Sequence, residues 1–74
     1  MTFAEAVTVF ADPRALVIYD SEHSEREDRF QTIGMSLFTR LLLVVHCDRA
    51  NRFRLISARK ATAEERRLYD SQKE

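Results

Sequence analysis

The sequence is poor in the residues that staple or punctuate a chain. It holds one cysteine, Cys47, so no disulfide can close within a single copy. With Cys47 and only two histidines, His23 and His46, no set of side chains has metal-ligand spacing, and neither a metal nor a cofactor is expected. One glycine, Gly34, and one proline, Pro13, leave no material for a glycine-rich phosphate loop, a flexible linker or a low-complexity tract. Long apolar runs are missing too: the longest, Leu41 to Val45, is far too short to cross a bilayer. The start of the chain shows no basic stretch followed by an apolar one, so no signal peptide and no membrane partner are expected. A lone cysteine without an export signal fits a reducing, cytoplasmic setting.

What is present is the composition of a small folded domain. Hydrophobic residues make up 45% and charged residues 32%, which separates the chain from disordered sequences. Seventy-four residues allow one domain, 1–74, burying only roughly 60% of its unfolded surface. A core that thin, without staples, favours oligomerisation or a binding partner. The formal net charge is zero, yet the charges are unevenly placed. Residues 1–37 carry three basic side chains against seven acidic ones, and residues 38–74 carry nine against five. A basic face for a polyanion beside an acidic segment is one reading of that split, and two solvated faces are the other.

The pattern predicts a helix over Thr2–Ala11. Thr2 is the N-cap, Glu5 completes a capping box, and Phe3, Ala6, Val7 and Phe10 form one apolar stripe. Asp12-Pro13 ends it, because a residue before proline is pushed out of the helical region. Strands follow at Ala15–Tyr19 and, after the polar loop Asp20–Asp28, at Arg29–Ser36, anchored by Phe30 and Ile33. Arg40–Cys47 is apolar on both faces and reads as a covered central strand. The turn Asp48–Asn51 leads to a returning strand, Arg52–Arg59. Thr62 and Glu65 form a second capping box for a final helix, Ala63–Lys73, whose only sizeable apolar residues are Leu68 and Tyr69. That helix is expected to be mostly exposed. The sum is an α+β fold: helix, four-stranded antiparallel meander, helix.

The strongest chemical signal is the basic series Arg52, Arg54, Arg59, Lys60, Arg66 and Arg67 around the last strand and helix. Arginine forks match phosphate oxygens, and a strand end leading into a helix N-terminus favours an anion. The same side chains would serve equally as surface ion-pair partners. In a regular strand Arg52 and Arg54 share one face and Arg59 takes the other. His46 lies among Leu and Val and reads as structural, although histidine often moves protons in RNA cleavage. His23 has Ser21 and Ser24 beside it, but neighbours in sequence do not make a triad. Cys47 reads as a small core residue.

Three stretches resemble one family. VFADPRALVIYDSEHSEREDRFQTIG (9–34), LLLVVHCDRANRFRLISARKAT (41–62) and AEERRLYD (63–70) are similar to the BrnT toxins, small RelE-like ribonucleases of type II toxin–antitoxin systems. The features shared, in order, are Phe10 and Asp12, Asp28-Arg29 before Phe30, Thr32 to Gly34, Ile56 to Thr62, Glu65-Arg66 and Tyr69. The resemblance implies metal-independent RNA cleavage that stops translation. It also implies a ribbon-helix-helix antitoxin, BrnA, which holds two toxins and binds DNA, so that DNA contact would be indirect. By the same resemblance Arg59 and Lys60 stabilise charge on the scissile phosphate, Arg29 holds a neighbouring phosphate, Glu65 is the candidate base and Tyr69 a further catalytic candidate. Arg52, Arg54, Arg66 and Arg67 would bind RNA. The family pattern opens with a Trp-bearing strand and a helix ending in Lys-His-Gly, and this chain opens on the helix that follows. An N-terminally shortened copy is therefore expected, found as a homodimer, bound to antitoxin or poorly soluble. A non-catalytic remnant that still binds antitoxin is the competing expectation.

Overall fold

The computed structural model describes residues 1–24, 27–49 and 52–72, without the side chain of Arg49. Helix α1 (Phe3–Thr8) runs into a 3₁₀ turn, Val9–Ala11. Four strands follow, β1 (Leu16–Tyr19), β2 (Asp28–Met35), β3 (Leu41–Arg49) and β4 (Arg52–Lys60), and then α2 (Ala63–Asp70). The sheet order is β1-β2-β3-β4 and every pair is antiparallel, so the expected α+β meander is the observed fold. No helix is long and apolar enough to cross a membrane. The turn tip Ala50–Asn51 and the end of the expected last helix, Lys73, lie outside the described residues.

The doubly apolar pattern of 41–47 has a direct cause: β3 is an interior strand with a helix on each side. Leu42 and Val44 pack with Ala6 and Val9 on one face, and Leu41, Leu43 and Ile33 pack with Tyr69 on the other. Gly34 is where the first layer closes most tightly. A Cβ there would meet Val9 Cγ1 at 2.6 Å, so only glycine lets the 3₁₀ turn lie on β2.

Helix α1 departs from its expected orientation. Phe3, Val7 and Phe10 do recur at helical spacing, but Phe3 and Val7 face outward. Phe10 is only partly covered, with its ring edge-on to His46 and Phe53, and the buried face is Glu5, Ala6 and Val9. Only half of the first capping box forms: Thr2 Oγ1 accepts from Glu5 N at 3.1 Å, while the Glu5 carboxylate is drawn inward. There it accepts from Ser36 Oγ and Arg40 Nε, each at 2.8 Å, and from Arg40 Nη2. The hydrogen bonds from Arg40 hold its carboxyl below the usual glutamate range, against the upward push of burial. This ion pair, with Glu5 buried and Arg40 partly exposed, ties α1 to the β2–β3 turn, while Ala6 and Val9 supply the apolar contacts of the inner face. In α2, Tyr69 is the buried residue and Leu68 remains exposed, so the expectation of a largely exposed helix holds.

Candidate nucleic-acid interface and active site

The register of β3 with β4 decides which basic side chains can work together. Val45 pairs with Ser57 but His46 pairs with Leu55, leaving Ile56 as an extra residue. This bulge corrects the expectation for a regular strand. Residues opposite one another in an antiparallel pair share a face. Arg54 opposes Cys47 and Arg59 opposes Leu43, and both partners lie on the α2 side of β3. Arg52, which opposes Arg49, joins them. Arg29 of β2 opposes Cys47 from the other side. Four arginines therefore line one sheet face: Arg29 and Arg54 in a row across buried Cys47, with Arg59 four β3 residues away, about 13 Å along the sheet. At that spacing Arg59 cannot share one small anion with Arg29 and Arg54.

Each arginine has its own surroundings. Arg29 is half-buried, and its Nε is buried with no hydrogen-bond partner among the described residues. Arg54 is paired with Glu27. Arg52, Lys60, Arg66 and Arg67 are exposed and, among the described residues, carry no ion pair. Lys60 opposes Leu42 and leaves the strand on the side opposite to Arg59. Arg59 donates Nη1 and Nη2 to the two oxygens of Glu65, both at 2.8 Å. Glu65 also closes the α2 capping box, accepting from Thr62 N at 2.9 Å. The hydrogen bonds from Arg59, with those from Thr62, hold the Glu65 carboxyl below its ordinary value despite partial burial. In this state Glu65 is a cap and a counter-ion, and a poor proton acceptor.

Tyr69 is placed differently from the other candidates. Its ring is buried in the core, and its hydroxyl donates to Asp12 Oδ2 at 2.6 Å. Burial and the Asp12 carboxylate both raise its pKa, so it stays protonated. Spacing alone marks Asp12 as a helix terminator, yet it is a junction. It also accepts from Met35 N and Arg14 N, both at 2.9 Å, and so joins β2, the loop before β1 and α2. Burial raises the Asp12 pKa, and the three hydrogen bonds more than offset it, leaving it lowered. The signal that pointed to it was the Phe10-x-Asp12 pattern, which spacing alone could not interpret.

The histidines lie away from this face. His46 is buried beside Phe10, Phe30 and Phe53, with ring centroids 5.0 to 5.7 Å apart, and its Nε2 meets Thr32 Oγ1 at 2.7 Å. Burial lowers its pKa, outweighing the nearby Asp48, and keeps it neutral. His23 pairs with Asp20 at 2.9 Å in the β1–β2 loop, while Ser24 Oγ accepts from Arg29 N, so the local Ser and His serve the loop. Among the described residues no three His, Cys, Asp or Glu side chains converge as a metal site.

A comparison with curated proteins gave no match. The family model described as "Ribonuclease toxin, BrnT, of type II toxin-antitoxin system" matches residues 1–65, which takes in α1, the whole sheet and the Arg59–Glu65 pair. With most of its length matched, the chain belongs to the BrnT family of type II toxins.

Proposed function

We propose that this protein is a ribonuclease toxin that cuts RNA without a metal and so stops translation in the cytoplasm, restrained by a BrnA-like ribbon-helix-helix antitoxin. The observation that carries this reading is the bulge at Ile56, which puts Arg59 on the face of Arg29, Arg52 and Arg54, where it holds the Glu65 carboxylate. An RNA strand lying along that face brings its scissile phosphate to Arg59. Arg59 is about half exposed, so a phosphate can reach its guanidinium. The pair with Glu65 is bidentate and Glu65 largely buried, so opening it costs more than the about 0–1 kcal/mol of an ordinary surface pair, and the phosphate must offset that. Once Arg59 turns to the phosphate, Glu65 loses the contact that holds its pKa down and becomes a competent base. The ribose 2′-oxygen attacks the adjacent phosphorus, its proton passes to Glu65, and the bond to the 5′-oxygen breaks, that oxygen taking a proton from solvent. Arg59 stabilises the extra negative charge on the phosphoryl oxygens during the step. Arg29, Arg52 and Arg54 hold flanking phosphates, Arg66 and Arg67 add charge on α2 and Lys60 at the end of β4, and Tyr69 positions α2 through Asp12.

The test is cleavage of a mixed-sequence RNA by the purified chain in EDTA, compared with Arg59→Ala. A loss on the order of a hundredfold is expected, with the circular dichroism spectrum unchanged. Cleavage by Arg59→Ala at the wild-type rate would remove Arg59 from the mechanism.

A second reading has its own support. Arg59 is satisfied by Glu65, and Phe3, Val7, Phe10, Val17, Tyr19 and Phe53 leave exposed apolar surface of the kind that marks partner sites. An antitoxin-binding module without cleavage would look the same. Antitoxin binding with no RNA cleavage by the wild-type chain would favour it.

A further inference from the structure

A second basic feature sits at the end of the sheet, outside the row of face arginines. The β2–β3 turn, the last residues of β4 and the second turn of α2 enclose an open cleft of about 250 Å³, lined by Thr39, Arg40, Leu41, Lys60, Ala61 and Arg66. Three of its six lining residues are cations. Lys60 and Arg66 are exposed and, among the described residues, have no carboxylate partner. Arg40 presents itself differently. It gives Nε and Nη2 to Glu5, which is buried behind it, and its Nη1 bonds nothing among the described residues. Glu5 therefore fixes the guanidinium and offsets its charge, and leaves the Nη1 donors without a partner among the described residues.

The cleft thus combines a held fork with two unneutralised cations arriving from β4 and α2. Three donors converging from separate elements suit a tetrahedral oxyanion better than a planar carboxylate, which a single fork would saturate. It lies next to the Arg59 site in the chain, because Arg59 and Lys60 are consecutive and leave β4 toward opposite sides. We propose that this cleft binds a phosphate of the RNA backbone beyond the cleaved bond, and so sets how far the substrate must extend past Arg59. This rests on the ribonuclease reading above. Sequence motifs point to Lys60 and Arg66 but give no reason to join Arg40 and Thr39 to them; the fold does that.

The test uses the full chain and a short RNA with every 2′-hydroxyl methylated, which binds without offering the internal nucleophile. Affinity is measured across a salt series for wild type, Lys60→Gln, Arg66→Gln and Arg14→Gln, and amide spectra are followed with the RNA and with inorganic phosphate. Arg14 is an exposed cation outside the cleft and controls for loss of one charge. The slope of log affinity against log salt is expected to shrink by about 0.7 for each cleft variant, the value of one lost contact to a single strand. It should be unchanged for Arg14→Gln, and the RNA should move the Thr39 and Ala61 amides. If unmodified RNA is cleaved while both cleft variants keep the wild-type slope and those amides stay still, the cleft is no subsite and the ribonuclease reading survives. Amides that move with inorganic phosphate but not with RNA would show a free-anion site and overturn the proposal. A chain that neither binds nor cuts RNA would remove the ribonuclease reading, and this inference with it.

Discussion

Arg59 and Glu65 are each occupied by the other, and that mutual hold makes their roles separable by experiment. In Glu65→Gln the cap survives, because glutamine also serves at the third helical position of a capping box. The counter-ion does not survive. RNA binding is therefore expected to tighten while kcat falls about a hundredfold or more, the usual share of a general base. Unchanged kcat with tighter binding would reduce Glu65 to a cap that masks Arg59. His46 makes the opposite case at the same scale. Its bonds are to Thr32 and to rings, so a Thr32→Val, His46→Phe pair removes both polar partners together and is expected to keep cleavage. A folded double variant without activity would place His46 in the chemistry after all.

At the scale of elements, two contacts set where α1 and α2 lie on the sheet. Gly34→Ala forces a methyl against Val9 Cγ1 and is expected to cost about 1–3 kcal/mol, read as a lower urea midpoint. An unchanged midpoint would mean that the 3₁₀ turn can lift off β2 without loss. Tyr69→Phe keeps the ring in the core and deletes only the bond to Asp12. The expected cost is about 2 kcal/mol, within the range for hydrogen bonds to charged groups. Because Tyr69 positions α2, RNA cleavage by the folded variant should retain its kcat. A large fall in kcat with no loss of stability would assign the hydroxyl to catalysis instead. The bulge at Ile56 belongs to this scale as well: one residue without a partner moves Arg59 onto the face of Arg52 and Arg54.

For the whole molecule the uneven charge of the sequence is partly folded away. Arg40 pairs with Glu5 and Arg54 with Glu27, so acidic residues of the first half neutralise basic residues of the second. The remaining cations concentrate around β4 and α2. These pairings also set the response to acid. Glu5, Asp12, Asp20 and Glu65 all have lowered pKa values, so the stability they contribute is present above the ordinary carboxyl range and is lost as pH falls through their depressed values. His46 is lowered too, so the unfolded chain takes up its proton first as pH falls below about 6.5, and stability begins to decline there. The urea midpoint is expected to decline gently below about pH 6.5 and steeply below about pH 4. A midpoint that rises on acidification from neutrality would contradict these assignments.

The element order, the central place of the doubly apolar strand 41–47, the second capping box and the family pattern were all legible along the chain. Each depends on short-range periodicity or on residues a few positions apart, which a linear reading can see. Which face of α1 is buried could be seen only in the folded chain, where Ala6 and Val9 meet the sheet and Glu5 finds its partner Arg40 thirty-five residues away. The tertiary structure decided that Asp12 receives Tyr69 across fifty-seven residues, and that a bulge turns Arg59 toward the other face arginines. The cleft around Arg40, Lys60 and Arg66 is of the same kind. Polar partners so far apart, and a shift of one residue in register, leave no periodic trace, because they arise only when the strands have paired and the helices have closed over them.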